Sequence, residues 1–79
     1  MAIKYTKHAE EMLVFRKISK GLADQTVDTP DEILPAEEGK KIYLKDLGKN
    51  YLMLVVAEER GDKIIVTLHW LDKKRVKRV

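Results

Sequence analysis

The sequence predicts an α+β domain, with two N-terminal helices packed on one face of a three- to four-stranded antiparallel sheet. Three observations carry that expectation. Apolar residues recur at helical spacing up to Pro30 and alternate after it. Thr6 and Ser19 each stand where a helix cap belongs, ahead of a periodic run. Beyond Pro35 the apolar stretches are separated only by "LGKN" and "ERG", connections short enough to force antiparallel neighbours.

The elements follow in order. Thr6 can cap a first helix from about Lys7 to Lys17, with Glu10 and Glu11 near the positive end of its dipole. Ala9, Met12, Leu13 and Arg16 lie along one side of it, and Tyr5, His8, Met12 and Phe15 along an adjacent one. Ser19 caps a second helix, "KGLADQTVD", which turns Leu22, Ala23 and Val27 inward until Pro30 stops it. "DEIL" is a short candidate strand limited by Pro35, a residue that cannot donate to a ladder and so belongs at an edge or an end.

"KKIYLKD", "YLMLVVAEE" and "DKIIVTLHWLD" then read as three strands, and the glycines between them can take the positive φ of tight hairpins. In the last strand Ile64, Val66, Leu68 and Trp70 form a uniformly apolar set expected to face the helices, with Trp70 read as core. Ile65, Thr67, His69 and Leu71 fall on the opposite face. The middle strand is apolar on both faces, which leaves the helix-free side a candidate groove or partner surface.

Seventy-nine residues make one small domain, 1–72, followed by a basic tail, 73–79. The tail "KKRVKRV" carries five basic groups and no acid, so the rest of the chain has a net charge of +3 less 5, or −2. Lys73, Lys74, Arg75, Lys77 and Arg78 thus form a candidate nucleic-acid-binding arm, because cations that neutralise phosphates release condensed counterions. A solvated terminus is the plainer reading. With no cysteine, neither disulfides nor thiolate metal sites are available, and a reducing cytoplasm is the expected setting. The longest apolar run, "YLMLVVA", is far short of the roughly 20 residues that cross a bilayer, so no membrane is expected. Two histidines and scattered carboxylates show no ligand spacing, which points to no metal and no cofactor.

The string "YTKHAEEMLVFRKIS", followed by "DTPDEI", a glycine turn and "LMLVVAEERGDKIIVTLHW", resembles a family of small bacterial and archaeal domains of unknown function. Their pattern begins with His-Ala, continues two residues later with Arg-Met, and closes with Arg-Gly-Ile-Ser before a proline and a sheet. Those domains are similar in fold to the RelE-like and BrnT-like toxins, messenger-cleaving ribonucleases neutralised by a small partner protein. The resemblance runs from Tyr5 to about Leu71 and rests on His8-Ala9, Arg16, Ile18-Ser19, Pro30 and Val66-Thr67. Met12 stands where the pattern has its first arginine, and Lys17 where it has glycine.

The resemblance implies a RelE-like or BrnT-like fold, RNA or the ribosome as target, and an antitoxin-like partner. RNA cleavage of this kind needs a base for the 2′-hydroxyl, an acid for the leaving oxygen, and cations for the phosphorane. His8, His69 and Arg16 have the required side chains, and each also has an ordinary use: His8 closing its helix against the sheet through a ring nitrogen on a carbonyl, Arg16 facing the helix dipole, His69 solvated on a strand. His69 falls on the face where RelE-like toxins place their RNA, so His8 and His69 can share a site only at the sheet's edge. Tyr43 offers a ring for a base or a cross-strand packing partner. The competing expectation is a catalytically silent protein- or RNA-binding module of the same fold, acting as a homodimer or with a partner chain.

Overall fold

A computed structural model describes residues 2–73. Its element order is β1 (Ile3–Tyr5), α1 (Lys7–Phe15), α2 (Lys20–Asp28), β2 (Glu32–Pro35), a 3-10 turn (Glu37–Gly39), β3 (Lys41–Asp46), β4 (Asn50–Glu59) and β5 (Asp62–Asp72). The strands form one sheet in the order β1-β5-β4-β3-β2, so β1 and β2 are its two edges. β2 through β5 form an antiparallel meander, whereas β1 pairs parallel to β5. The sheet is therefore five-stranded and mixed, one strand more than the sequence suggested.

The additional strand is three residues long, too short to display a period, and it is held largely by β5. Ile3, Lys4 and Tyr5 stand opposite Lys63, Ile64 and Ile65. The Asp62 carboxylate accepts the Ala2 N–H at 3.0 Å and pairs with Lys4 at 3.1 Å. Those bonds hold its pKa below the ordinary carboxylate value. The two helices carry the chain from the β1 edge across one face of the sheet to the β2 edge.

Both helices begin as expected. Thr6 Oγ1 accepts the Ala9 N–H and Ser19 Oγ accepts the Leu22 N–H, at 3.0 and 3.1 Å. α1 ends two residues earlier than its periodicity suggested. Lys17 takes φ 55°, and the Lys17 and Ile18 N–H groups donate back to the carbonyls of Val14 and Leu13 at 3.2 and 2.8 Å. This is a Schellman stop, with Ile18 buried against the helix it terminates. The Arg60-Gly61 turn between β4 and β5 has φ 53° and 84°, the geometry that two-residue hairpins require.

The core lies between helices and sheet: Ala9, Leu13 and Ile18 pack with Ala23 and Val27 over Tyr43, Leu52, Leu54, Val56, Ile65 and Leu68. Tyr43 is on an interior strand and 2% exposed, so it packs and presents no ring to solvent. Its hydroxyl oxygen is met by Lys63 Nζ at 2.7 Å. Among the described residues no buried side-chain polar atom lacks a hydrogen-bond partner, and no helix is long and apolar enough to cross a membrane.

One feature of β5 corrects the face assignment. Val55 stands opposite Thr67 and Val56 opposite Ile65, so Val66 is an extra residue, a β-bulge. Alternation is reset there. Ile65 joins Leu68 on the helix side, both with no exposed surface, while Ile64 moves to the other face. Trp70 does point toward the helices but remains 36% exposed at the rim, not core, because its indole N–H reaches the Arg16 carbonyl at 3.0 Å. The helix-free face is also less open than its apolar sequence implied. Leu44 and Tyr51 are buried there, and Met53, Val55, Thr67, His69 and Leu71 are half-buried.

Candidate functional site at the seam of α1 and β5

β1 covers only residues 63–65 of β5, and the chain then turns directly into α1. Thr6 makes that turn rigid. Its N–H donates to the Ile65 carbonyl at 3.1 Å, and its hydroxyl, while capping α1, donates to the Val66 carbonyl at 3.0 Å. The bulge residue is thus tied to the first turn of the helix. At the other end the Trp70 indole holds the Arg16 carbonyl, one of the free acceptors of the last turn. α1 is therefore fastened to β5 at both ends, and its side chains line the stretch of β5 that β1 leaves uncovered.

This seam is where the candidate residues meet. His8 is exposed, and its Nε2 shares a hydrogen bond of 3.1 Å with Thr67 Oγ1. The ring closes on a hydroxyl, where the expected structural role had a carbonyl. His69, two positions beyond Thr67 on the same face and so about 6.6 Å further along the strand, is half-buried. Burial lowers its pKa from the ordinary histidine value, and the nearby Arg16 guanidinium lowers it further. At neutral pH it is a neutral imidazole with a fixed cation beside it. Arg16 also lies over the Phe15 ring, 5.7 Å from its centroid.

The helix on one face and the strand residues on the other are thus brought together at the sheet's edge. His8 is hydrogen-bonded to Thr67 and the Arg16 charge acts on His69, with His8 and Arg16 separated by about 12 Å along the helix axis. The arrangement offers a neutral imidazole, a guanidinium, and a second imidazole bonded to a hydroxyl, on a surface open to a long ligand. Among the described residues no group of three or more His, Asp or Glu side chains is placed to hold a metal ion.

Of the basic tail, Lys73 is described: its Nζ pairs with Asp46 at 2.6 Å and lies 5.4 Å from the Tyr51 ring centroid. Lys74, Arg75, Lys77 and Arg78 lie outside the described residues. The sequence pattern does not single out Phe15 or the exposed edge of Trp70 as functional. Phe15 is 73% exposed, and a signal for this was available: at 100° per residue it lies roughly 140° round the helix from the Ala9–Leu13 centre line. Trp70 gave no such signal, because its alternation is that of a core residue.

Fold and site together define an α+β domain, two helices on a five-stranded mostly antiparallel sheet, with a histidine- and arginine-bearing seam along one sheet edge. Compared with known protein families, curated proteins and solved structures, the chain matches none of them.

Proposed function

We propose that this domain is an endoribonuclease of the toxin type, resembling the RelE-like and BrnT-like toxins, that cleaves RNA with side chains alone at the α1–β5 seam. The observation that carries the reading is the seam's geometry: His8 bonded to Thr67 at 3.1 Å, with half-buried His69 two positions further along the same strand face and subject to the Arg16 charge. His69, neutral at neutral pH, takes the proton of a ribose 2′-hydroxyl, and the freed 2′-oxygen attacks the adjacent phosphorus. Arg16 pairs with the non-bridging oxygens as charge builds on them. The 5′-oxygen leaves with a proton from the imidazolium form of His8, which the Thr67 hydroxyl orients. The products are a 2′,3′-cyclic phosphate and a 5′-hydroxyl end. The RNA or ribosome is the expected target, and an antitoxin-like protein the expected partner.

Induced expression should arrest growth, and His69→Ala and Arg16→Ala should each relieve the arrest, lowering cleavage by about 100-fold or more. The cleavage rate should climb with pH through a value below the ordinary histidine pKa of 6.5, because the base works only unprotonated. In the His69→Ala protein that climb should be absent. If wild type and both variants let cells grow equally, and purified protein leaves messenger intact on ribosomes, the nuclease reading fails.

One observation favours a second reading, a catalytically silent protein- or RNA-binding module that works as a homodimer or with a partner chain. Met12, at the position where the resembling pattern has an arginine, packs half-buried against the core. This chain therefore brings one cation fewer to the helix. Wild-type binding without cleavage is the outcome that would establish it.

A further inference from the structure

The core, the caps and the proposed cleavage leave two exposed aromatic rings unexplained, one against the Arg16 guanidinium and the other bonded to the Arg16 carbonyl. Phe15 is 73% exposed with the guanidinium 5.7 Å from its ring centroid. Trp70 is 36% exposed, and its indole N–H donates to the Arg16 carbonyl at 3.0 Å. We propose that Phe15 and Trp70, each in contact with Arg16, form a base-stacking platform, so that the ligand of the seam is single-stranded RNA with at least one unpaired base.

The chemistry favours that ligand over a duplex or a protein surface. Arginine beside exposed aromatic rings is the combination that holds a backbone phosphate and an adjacent base together. A duplex keeps its base faces stacked inside the helix, so only an unpaired nucleotide can use the rings. Arg16 and Lys17 follow Phe15, whereas Glu11 lies one turn before it and Glu10 is already paired with Lys20 at 3.3 Å. The phosphate next to a base stacked on Phe15 therefore meets cations at the end of α1. The inference rests on RNA occupying this seam, not on the cleavage step.

Trp70 is the single tryptophan of the chain and reports on the platform directly. The full chain is titrated with a short single-stranded oligoribonucleotide that is 2′-O-methylated to prevent cleavage. The same strand in a duplex and an abasic strand of equal length are the comparisons. Tryptophan quenching is expected with the single strand, with much weaker binding of the other two. Phe15→Leu keeps an apolar side chain but removes the ring, and should weaken single-strand binding roughly 5- to 150-fold, the range for removal of one stacked base. It should leave the abasic strand's affinity unchanged, while Phe15→Tyr should bind like wild type.

Equal affinity of Phe15→Leu and wild type for the single strand would overturn the platform, and if the unmethylated strand is still cut, it would do so without touching the nuclease reading. Ring-dependent binding with no cleavage would uphold the platform and remove the nuclease reading. If no RNA quenches Trp70, the platform falls, and cutting of the unmethylated strand alone decides the nuclease reading.

Discussion

Lys17 holds a left-handed backbone, φ 55°, where a β-carbon costs roughly 1–2 kcal/mol and glycine avoids the cost. The resembling pattern has glycine at this position, and the Schellman stop supplies a physical reason for it. Lys17→Gly should therefore stabilise the domain, by a net of about 0.5–1 kcal/mol once glycine's greater freedom in the unfolded chain is subtracted. A urea titration checks this: the midpoint should rise with no change in slope, and a fall would mean the lysine side chain holds something the backbone geometry does not show. Other members of the signature have equally local explanations. Ala9 has no exposed surface, Ile18 is buried, and Ser19 caps α2. Of the exposed members Ser19 is occupied as a cap, and His8 and Arg16 are the two that face β5's uncovered stretch.

At the scale of elements, the bulge at Val66 decides which side chains reach the seam. Deleting Val66 would join Ile65 directly to Thr67, whose partners Val56 and Val55 are already consecutive, so Ile65 and Leu68 would keep their places on the helix side in unbroken alternation. The deletion should therefore retain cooperative unfolding while removing the carbonyl that the Thr6 hydroxyl meets at 3.0 Å, whereas a residue inserted between Thr67 and Leu68 should force one of the two buried side chains out of the core and abolish cooperative unfolding. Circular dichroism during heating separates the two, and an insertion variant that melts like wild type would show that β5 can be re-registered freely. Helices and the meander were legible in the sequence because each rests on a long periodic run or a capping side chain. The bulge was not, since its only trace is a one-residue change of phase inside "IIVTL", where both phases are apolar. β1 was missed for a related reason: three residues hold no period, and its pairing is with a segment sixty positions away. The candidate site was legible as residue types. That Arg16 stands beside His69 depends on where β1 stops, which no local pattern encodes.

For the molecule as a whole, charge is the property the sequence shows most clearly and the fold uses least. The described part binds its first tail cation, Lys73, to Asp46, so any arm begins after it. Truncation after Lys73 should weaken single-stranded RNA binding and flatten its salt dependence, by about 0.7 in the log–log slope for each phosphate the arm no longer neutralises. An unchanged slope would eliminate the arm and leave the seam to hold the strand alone. The parallel pairing of β1 with β5 has a consequence for when that seam exists. Residues 2–6 meet residues 62–66 only after every intervening hairpin and helix has been bridged, the most expensive loop closure in the fold. The β2–β5 meander can form from local pairing, but His8 has no Thr67 and His69 no Arg16 until that closure is complete. A chain still emerging from synthesis, or one opened at β1, keeps most of its sheet without the seam: the proposed site is assembled only when folding is finished.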